Sequence, residues 1–539
     1  MSQKSEIAHY TWADKIAGEL LQRGKKHVAH GMWTPSGYFH IGNARGELLV
    51  PAMVARAVKD AGGSARTHFL ADDFDDMDKV PAGIDVDAEK YKEFLGKPLR
   101  EIPSPMKGYD SWASFFTDQA LGGIERLGEK PKFYSVYDEY RKGTYDKAIK
   151  IVLDNAGKVR DLWEIITETH KPENWLPVMV VCESCGRSAT TKAVSWSGKN
   201  LAYVCSEPRE YAKPCNHSGE IIPHKGNVKL PWRVHWPATW FVFGTTFESG
   251  GKDHFTKGGS VDTGRAFMKE VFNVEQPLLI GTEFIQLGGE KISGSRGNVI
   301  TPEHWLEVAD AELLRFMMIS YQPGTAIDFD MHGGKLFLLE QRYHEAEQVY
   351  YGEKSLGEKR DAQLRREYML SQVKKAPKGM PVQLDYSLLA TVVQMYPHKN
   401  IGKIIELLRS LKALKKENLA KDDENRISAK INHARAWVSR YAPDDMKLKL
   451  NEAAPAMDLT EQETDAVFTL SNELLKEWDE AGLQSRIYEI ARENDVEPKR
   501  FFQILYRMLL SRDHGPRLGH FIVIVGKEKI RAILDTLKK

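Results

Sequence analysis

The chain has no run of 18 apolar residues, and its first 24 residues carry acidic side chains and no apolar core. A membrane-spanning helix and a secretory signal are therefore not expected, and the cytoplasm is the expected location. Neither GxxxxGK[ST] nor GxGxxG occurs, so the two commonest phosphate-binding turns are missing. An excess of one charge is missing too: 76 Lys and Arg against 75 Asp and Glu leave +1. That balance argues against a polycationic nucleic-acid binder, although charges can still be segregated into faces. Cysteine is scarce, and all four residues fall between 182 and 215. Such clustering points to a metal rather than to disulfides.

At 539 residues the chain is too long for one core and suggests about three to four domains. Its organising stretch runs from Lys26 to Arg56. Val28 to Gly31 reads as a buried strand, Thr34, Pro35, Ser36 and Gly37 as a tight turn, and His40, Gly42 and Asn43 as the first turn of a helix. A helix start exposes unpaired N–H groups, so an anion is expected there. Gly42 would let a flat group lie on the backbone, while His40 and Asn43, three apart, share one side and can reach phosphates. Pro51 predicts a kink or an early stop near Val50. The plainer alternative is the first βα unit of any α/β domain.

Further along, THFLADDFDD (67–76) is a strand running into a loop with Asp72, Asp73, Asp75 and Asp76 at its carboxyl end. That is where open α/β sheets bind ligands, and the carboxylates either receive an ammonium group or form a polar loop. Residues 79–110 read as an irregular excursion, and 133–168 as helical. Cys182 and Cys185, followed by Gly186, have knuckle spacing; Cys205 and Cys215 are separated by nine residues. The four thiols suit a tetrahedral structural zinc, with His217 or His224 replacing one cysteine, or a knuckle that has lost its metal, as alternatives. Trp232, Trp236 and Trp240 recur every four residues and either wall a pocket or fill a core, and Asp253 and His254 follow Gly250 and Gly251 in a loop. From 303 onward the pattern is helical, with a break at Pro397 and a candidate short strand at Phe521 to Val525. Arg409, Lys412, Lys415, Lys416, Arg426, Lys430 and Arg435 form either a face for RNA phosphates or solvated helix surface.

After a strand from Leu278 to Gly281 comes Lys291-Ile-Ser-Gly-Ser-Arg-Gly-Asn298. Lys291 offers a point charge, Ser293 and Ser295 donate hydrogen bonds, and Gly294 and Gly297 permit irregular backbone, which suits a phosphate clamp. Together PSGxxHIGN (35–43) and KISGSRGN (291–298) resemble the two signatures of class I aminoacyl-tRNA synthetases, usually HIGH and KMSKS, in the form of the lysyl branch. Ile292 takes the methionine position and Gly294 that of the second lysine. The segment ending in Asp253-His254 resembles one shared by lysyl and glutamyl enzymes, and residues 501–526 resemble their common terminal segment.

The resemblance implies a Rossmann-like, parallel-sheet α/β catalytic domain of the HIGH nucleotidyltransferase type, split by an inserted zinc-knuckle-like domain and followed by an α-helical cage. The expected divisions are 1–110 and 231–330 for the catalytic halves, 111–230 for the insertion and 331–539 for the helical anticodon-binding region. It further implies a monomer using ATP with Mg2+, L-lysine and tRNA(Lys), with structural zinc on Cys182, Cys185, Cys205 and Cys215. His40, Asn43, Lys291 and Ser293 would be catalytic; Pro35, Ser36, Gly37, Gly42 and Ser295 would join them around ATP. Thr34, Asp72, Asp73, Trp232, Trp236, Asp253 and His254 would bind the amino acid. A synthetase for another amino acid such as glutamate, or a non-catalytic RNA-binding descendant, are the alternatives.

Overall fold

The computed structural model describes residues 10–81, 83–291, 299–397, 400–414, 416 and 418–537, without the side chains of Glu290 and Lys291. Ser293, Ser295, Lys415 and the Lys291 side chain thus lie outside the described residues. The chain divides into two compact units: Met1–Trp305, Asp310–Phe329 and Ala346–Ala376 form the first, and Leu306–Ala309, Asp330–Glu345 and Pro377–Lys539 the second.

In the first unit a lead-in helix, Trp12–Arg23, starts at a reciprocal cap between Thr11 and Asp14. Trp12, Ile16 and Leu20 repeat at helical spacing and are buried. The chain then enters a five-stranded parallel sheet made of β1 (Lys26–Trp33), β2 (Ser64–Ala71), β3 (Lys132–Ser135), β4 (Phe247–Gly251) and β5 (Leu278–Thr282). Their order is β5-β4-β1-β2-β3. β1 and β2 are in register from Lys26↔Ser64 to Trp33↔Ala71. Strand order reverses at β1, so the crevice beyond the carboxyl ends of β1 and β4 is the switch point at which such sheets take ligands.

Two local expectations change. The pattern predicts helix from residue 133, but Lys132–Ser135 pairs with β2 as an edge strand before the helices Val136–Lys142, Asp146–Asp154 and Ala156–Thr167. A strand of four residues leaves no period that can be told from helix. Pro51 does not stop the helix, which changes at Val50 from a π-helical to an α-helical turn. The helical stretch runs unbroken from Ile41 to Asp60, and the wider π-helical turn Ala44–Leu49 directly precedes the proline, whose missing N–H falls at the change of turn.

Between β3 and β4 the cysteine module forms an antiparallel sheet of Lys192–Trp196, Leu201–Val204 and Ser218–Ile221, and Met179–Val180 pairs with Val228–Lys229 at its base. After β5 come β6 (Ile285–Leu287), β7 (Glu290–Lys291) and β8 (Ile327–Asp328), with β6 antiparallel to β7 and parallel to β8.

Helices make up the second unit. Leu518–Val525 is helical where a strand was a candidate. Phe521, Ile522 and Val525 are buried in an apolar core contributed by neighbouring helices, and that packing overrides the β-propensity of the run. The basic run 409–435 is not one solvated face, because Lys430 is buried against Glu340 and Lys416 pairs with Asp423 at 2.7 Å. Among the described residues no helix is long and apolar enough to cross a membrane.

Candidate active site

The first signature lies at the switch point, in the turn that follows β1. His40 caps the short helix Ile41–Asn43: its Nδ1 accepts from Gly42 N at 3.1 Å and Asn43 N at 3.2 Å, while Asn43 Oδ1 accepts from His40 N at 3.2 Å. Ile41 N donates to Ile300 O at 2.9 Å. The N–H groups expected to receive an anion are thus satisfied within the chain. Both side chains are oriented as a result. With Nδ1 accepting, the His40 proton resides on Nε2, and with Oδ1 accepting, the Asn43 amide directs its NH2 group outward. Gly42 serves this arrangement, since a Cβ there would lie 2.9 Å from His40 Cε1. Of the preceding turn, Pro35 and Gly37 are buried, Thr34 is half-buried and Ser36 is exposed, its carbonyl accepting from Trp112 Nε1 at 3.1 Å.

The four aspartates after β2 do different work. Asp72 continues from the strand, its N–H donating to Trp33 O at 2.8 Å, and its side chain is buried. Asp72 Oδ1 finds no hydrogen-bond partner among the described residues, and Oδ2 is 4.0 Å from His235 Nε2. Asp73 is fully engaged, accepting from Ser135 Oγ at 2.5 Å and Tyr137 N at 2.8 Å. Asp75 pairs with buried Lys229 at 2.7 Å, and Asp76 accepts from Ser188 Oγ. Burial pushes the Asp72 carboxyl well above the usual carboxylate range; Lys229 opposes the rise and the neighbouring aspartates add to it. The Lys229 ammonium therefore faces the carboxylates of Asp72, Asp75 and Asp76, and Asp72 Oδ1 keeps an unused acceptor position among the described residues.

The helix that carries His235 also carries an aromatic wall. The helix Trp232–Phe243 stacks Trp232 on Trp236, with centroids 5.2 Å apart and planes at 19°. His254, from the short turn Lys252–Phe255, lies 5.5 Å from Trp232 and 5.2 Å from Trp236. Burial lowers the His254 pKa and favours the neutral imidazole. Trp236 and Trp240 are both buried and belong to one apolar core, against which the half-buried Trp232 packs. Glu248 on β4 fixes the wall, accepting from Trp236 Nε1 at 3.0 Å and from Trp240 Nε1; burial raises its carboxyl to about 8. Asp253 is exposed beside His254. Lys229, His235 and Glu248 have no motif around them in the sequence, and only the fold brings them to the site.

Away from the crevice, all four cysteine sulfurs lie within 4.8 Å of one another. Cys182 Sγ is 3.6 Å from Cys215 Sγ, and Cys185 Sγ is 3.8 Å from Cys205 Sγ. Four thiolates at the usual zinc–sulfur distance of about 2.3 Å stand about 3.8 Å apart, so the donor set fits tetrahedral zinc. Gly186, at φ 70°, makes the first knuckle turn. The long second spacing is closed by the Leu201–Val204 and Ser218–Ile221 pairing, with Cys205 N donating to His217 O at 2.8 Å.

The model of the family described as tRNA synthetases class I (K) matches residues 10–374. Three curated relatives, each named Lysine--tRNA ligase, are similar along nearly the whole chain. The protein of Pyrococcus horikoshii is 34% identical over 524 residues, covering 95% of this chain and 96% of its own. That of Pyrococcus furiosus is 33% identical over 530 residues, with 96% and 98% covered. That of Methanocaldococcus jannaschii is 32% identical over 534 residues, again with 96% and 98% covered.

Proposed function

Because this chain belongs to the class I (K) tRNA synthetases, we propose that it is a lysine–tRNA ligase, which activates L-lysine with ATP and transfers it to tRNA(Lys). The observation that carries this reading is the near full-length likeness to relatives of that name. The buried Asp72 oxygen without a hydrogen-bond partner among the described residues adds a chemical reason for choosing an ammonium-bearing side chain.

In the first step a lysine carboxylate oxygen attacks the α-phosphorus of ATP, the bond to the bridging oxygen of the β-phosphate breaks, and pyrophosphate leaves lysyl-adenylate behind. In the second, the 2′-hydroxyl of the terminal tRNA adenosine attacks the lysyl carbonyl and AMP leaves. The substrate carboxylate is already a nucleophile, so the first step asks the protein for position and charge rather than for a base. His40 Nε2–H and the Asn43 amide hold phosphate oxygens, and Lys291, Ser293 and Ser295 meet the charge growing on pyrophosphate. Pro35, Ser36, Gly37 and Gly42 border the nucleotide. Thr34, Trp232, Trp236 and His254 line the amino-acid pocket. Asp72 receives the ε-ammonium in preference to Asp73, whose oxygens are taken, and Asp253, which is exposed. Magnesium accompanies ATP and is held largely by its phosphates.

Residues 111–230 meet the tRNA acceptor end in this reading, and 331–539 meet the anticodon. ATP–pyrophosphate exchange across the twenty amino acids tests it: lysine is expected to drive exchange, and exchange driven by glutamate instead would refute it. The cysteines hold a structural zinc, which gives a separate test. Purified protein is expected to contain one zinc per chain, and chelation to remove amide protection from 192–221 while sparing β1. Metal-free protein with that protection intact would rule the role out.

A further inference from the structure

We infer that Arg45 is a positioning residue that fixes the strand bearing Lys291 against the helix bearing His40 and Asn43. The inference rests on the proposed roles of those three residues around ATP. Arg45 is 1% exposed and follows the first signature by two positions. Its Nη1 donates to Glu283 O at 2.8 Å, and its Nη2 to Gln322 O at 3.0 Å, Pro323 O at 3.2 Å and Thr325 O at 2.8 Å. All four acceptors are main-chain carbonyls. Glu283 leads into β6, and residues 322–325 lead into β8, which lies parallel to β6. β6 in turn pairs with β7 through Gln286↔Lys291 and Leu287↔Glu290. One guanidinium therefore grips the two segments that lead into the small sheet whose β7 ends at Lys291. A second tie, Ile41 N to Ile300 O at 2.9 Å, holds the far side of the same excursion to the same helix.

Stability alone is a poor explanation for this arrangement. A buried cation pays for its desolvation, and apolar side chains of similar size often replace such ions without loss. What a guanidinium adds is a rigid planar fork that sets the relative position of the groups it bonds. Here the fork is carried by the helical stretch that follows His40 and Asn43, and every carbonyl it bonds belongs to the segments around β6, β7 and β8, more than 200 positions further along. The π-helical turn Ala44–Leu49 carries Arg45 immediately after the short helix of His40 and Asn43.

Arg45→Lys keeps the charge and loses the fork. Lysine-dependent ATP–pyrophosphate exchange by this variant is expected to show kcat lowered about 10²-fold, as for a small misplacement of reacting groups, with the KM for lysine within about twofold of wild type. Arg315→Lys is the control for structure. Arg315 is similarly buried and bonds Ser371 O at 2.9 Å and Glu129, away from the first signature. It is expected to lower Tm without the loss in kcat. Unchanged kcat in Arg45→Lys, or an equal fall in Arg315→Lys at equal Tm, would overturn the inference. Arg45→Gln serves the same comparison if the lysine variant does not accumulate. Failure of both to fold would make Arg45 structural and would equally overturn it. Wild-type protein that exchanges with an amino acid other than lysine would refute the lysine assignment while leaving the comparison of variants interpretable.

Discussion

Gly31→Ala is expected to prevent the catalytic sheet from forming. β1 is the strand at which the sheet order reverses, paired with β2 on one side and β4 on the other. A Cβ on Gly31 would lie 1.7 Å from Glu47 O, 2.6 Å from Glu47 C and 3.0 Å from Glu47 Cα. The obstacle is backbone, so no rotamer change relieves it. Nor can the π-helical turn that carries Glu47 withdraw, since Ser249 Oγ bonds Gly46 O and Arg45 is bonded to four carbonyls. Overpacking against two fixed pieces of main chain should cost more than about 4 kcal/mol, a large share of the roughly 5–15 kcal/mol that holds a domain together. Soluble yield and Tm measure the effect. Gly46→Ala is the comparison, because its Cβ would meet only Thr282 Oγ1 at 3.1 Å, and a side-chain hydroxyl can turn away. A Gly31→Ala protein with the parent's Tm would mean that the turn does not lie on β1.

That glycine also marks how far the sequence can be read. The two signatures and the four cysteines announce themselves because their chemistry demands particular residue types at short spacings. β1 and the turn after it were legible for the same reason, and so was the lead-in helix from its spacing of Trp12, Ile16 and Leu20. Gly31 carries no such mark, since its need arises from Glu47 crossing over it. Lys229 reads as an ordinary lysine near a proline, and its partner Asp75 is 154 positions upstream. Arg45 is adjacent to a motif, yet its acceptors are carbonyls, which every residue owns and which leave no trace in side-chain pattern. Where local propensity misled, tertiary packing was the competitor. Leu518–Val525 has the β-branched and aromatic content of a strand, but an apolar helical core surrounds it and no strand edge pairs with it among the described residues.

The same limit separates the four aspartates, which look alike in the sequence and differ only once their partners are known. Asp72→Asn is therefore expected to raise the KM for lysine and lower kcat/KM by about 10²- to 10³-fold, the range for stranding one member of a buried ion pair, while the KM for ATP stays near its parent value. Norleucine, which has the chain but no ammonium, supplies the reference: the variant should treat lysine more nearly as wild type treats norleucine. A variant that still prefers lysine as strongly as the parent does would remove Asp72 from the role. The pH dependence follows from the raised carboxyl. Lysine needs the ionised form, so wild-type kcat/KM should fall as pH drops through the raised pKa, and the Asp72→Asn enzyme should lack that limb. Stability runs the other way. A carboxyl with its folded pKa above its unfolded value holds a proton more tightly when folded, so ionising it at higher pH costs the empty protein stability. Asp72→Asn should consequently raise the Tm of the lysine-free protein at pH 8, with the gain shrinking as pH falls toward the unfolded carboxylate pKa. Saturating lysine should reverse the order at pH 8, because a bound ammonium adds to Lys229 a second cation that stabilises the buried carboxylate.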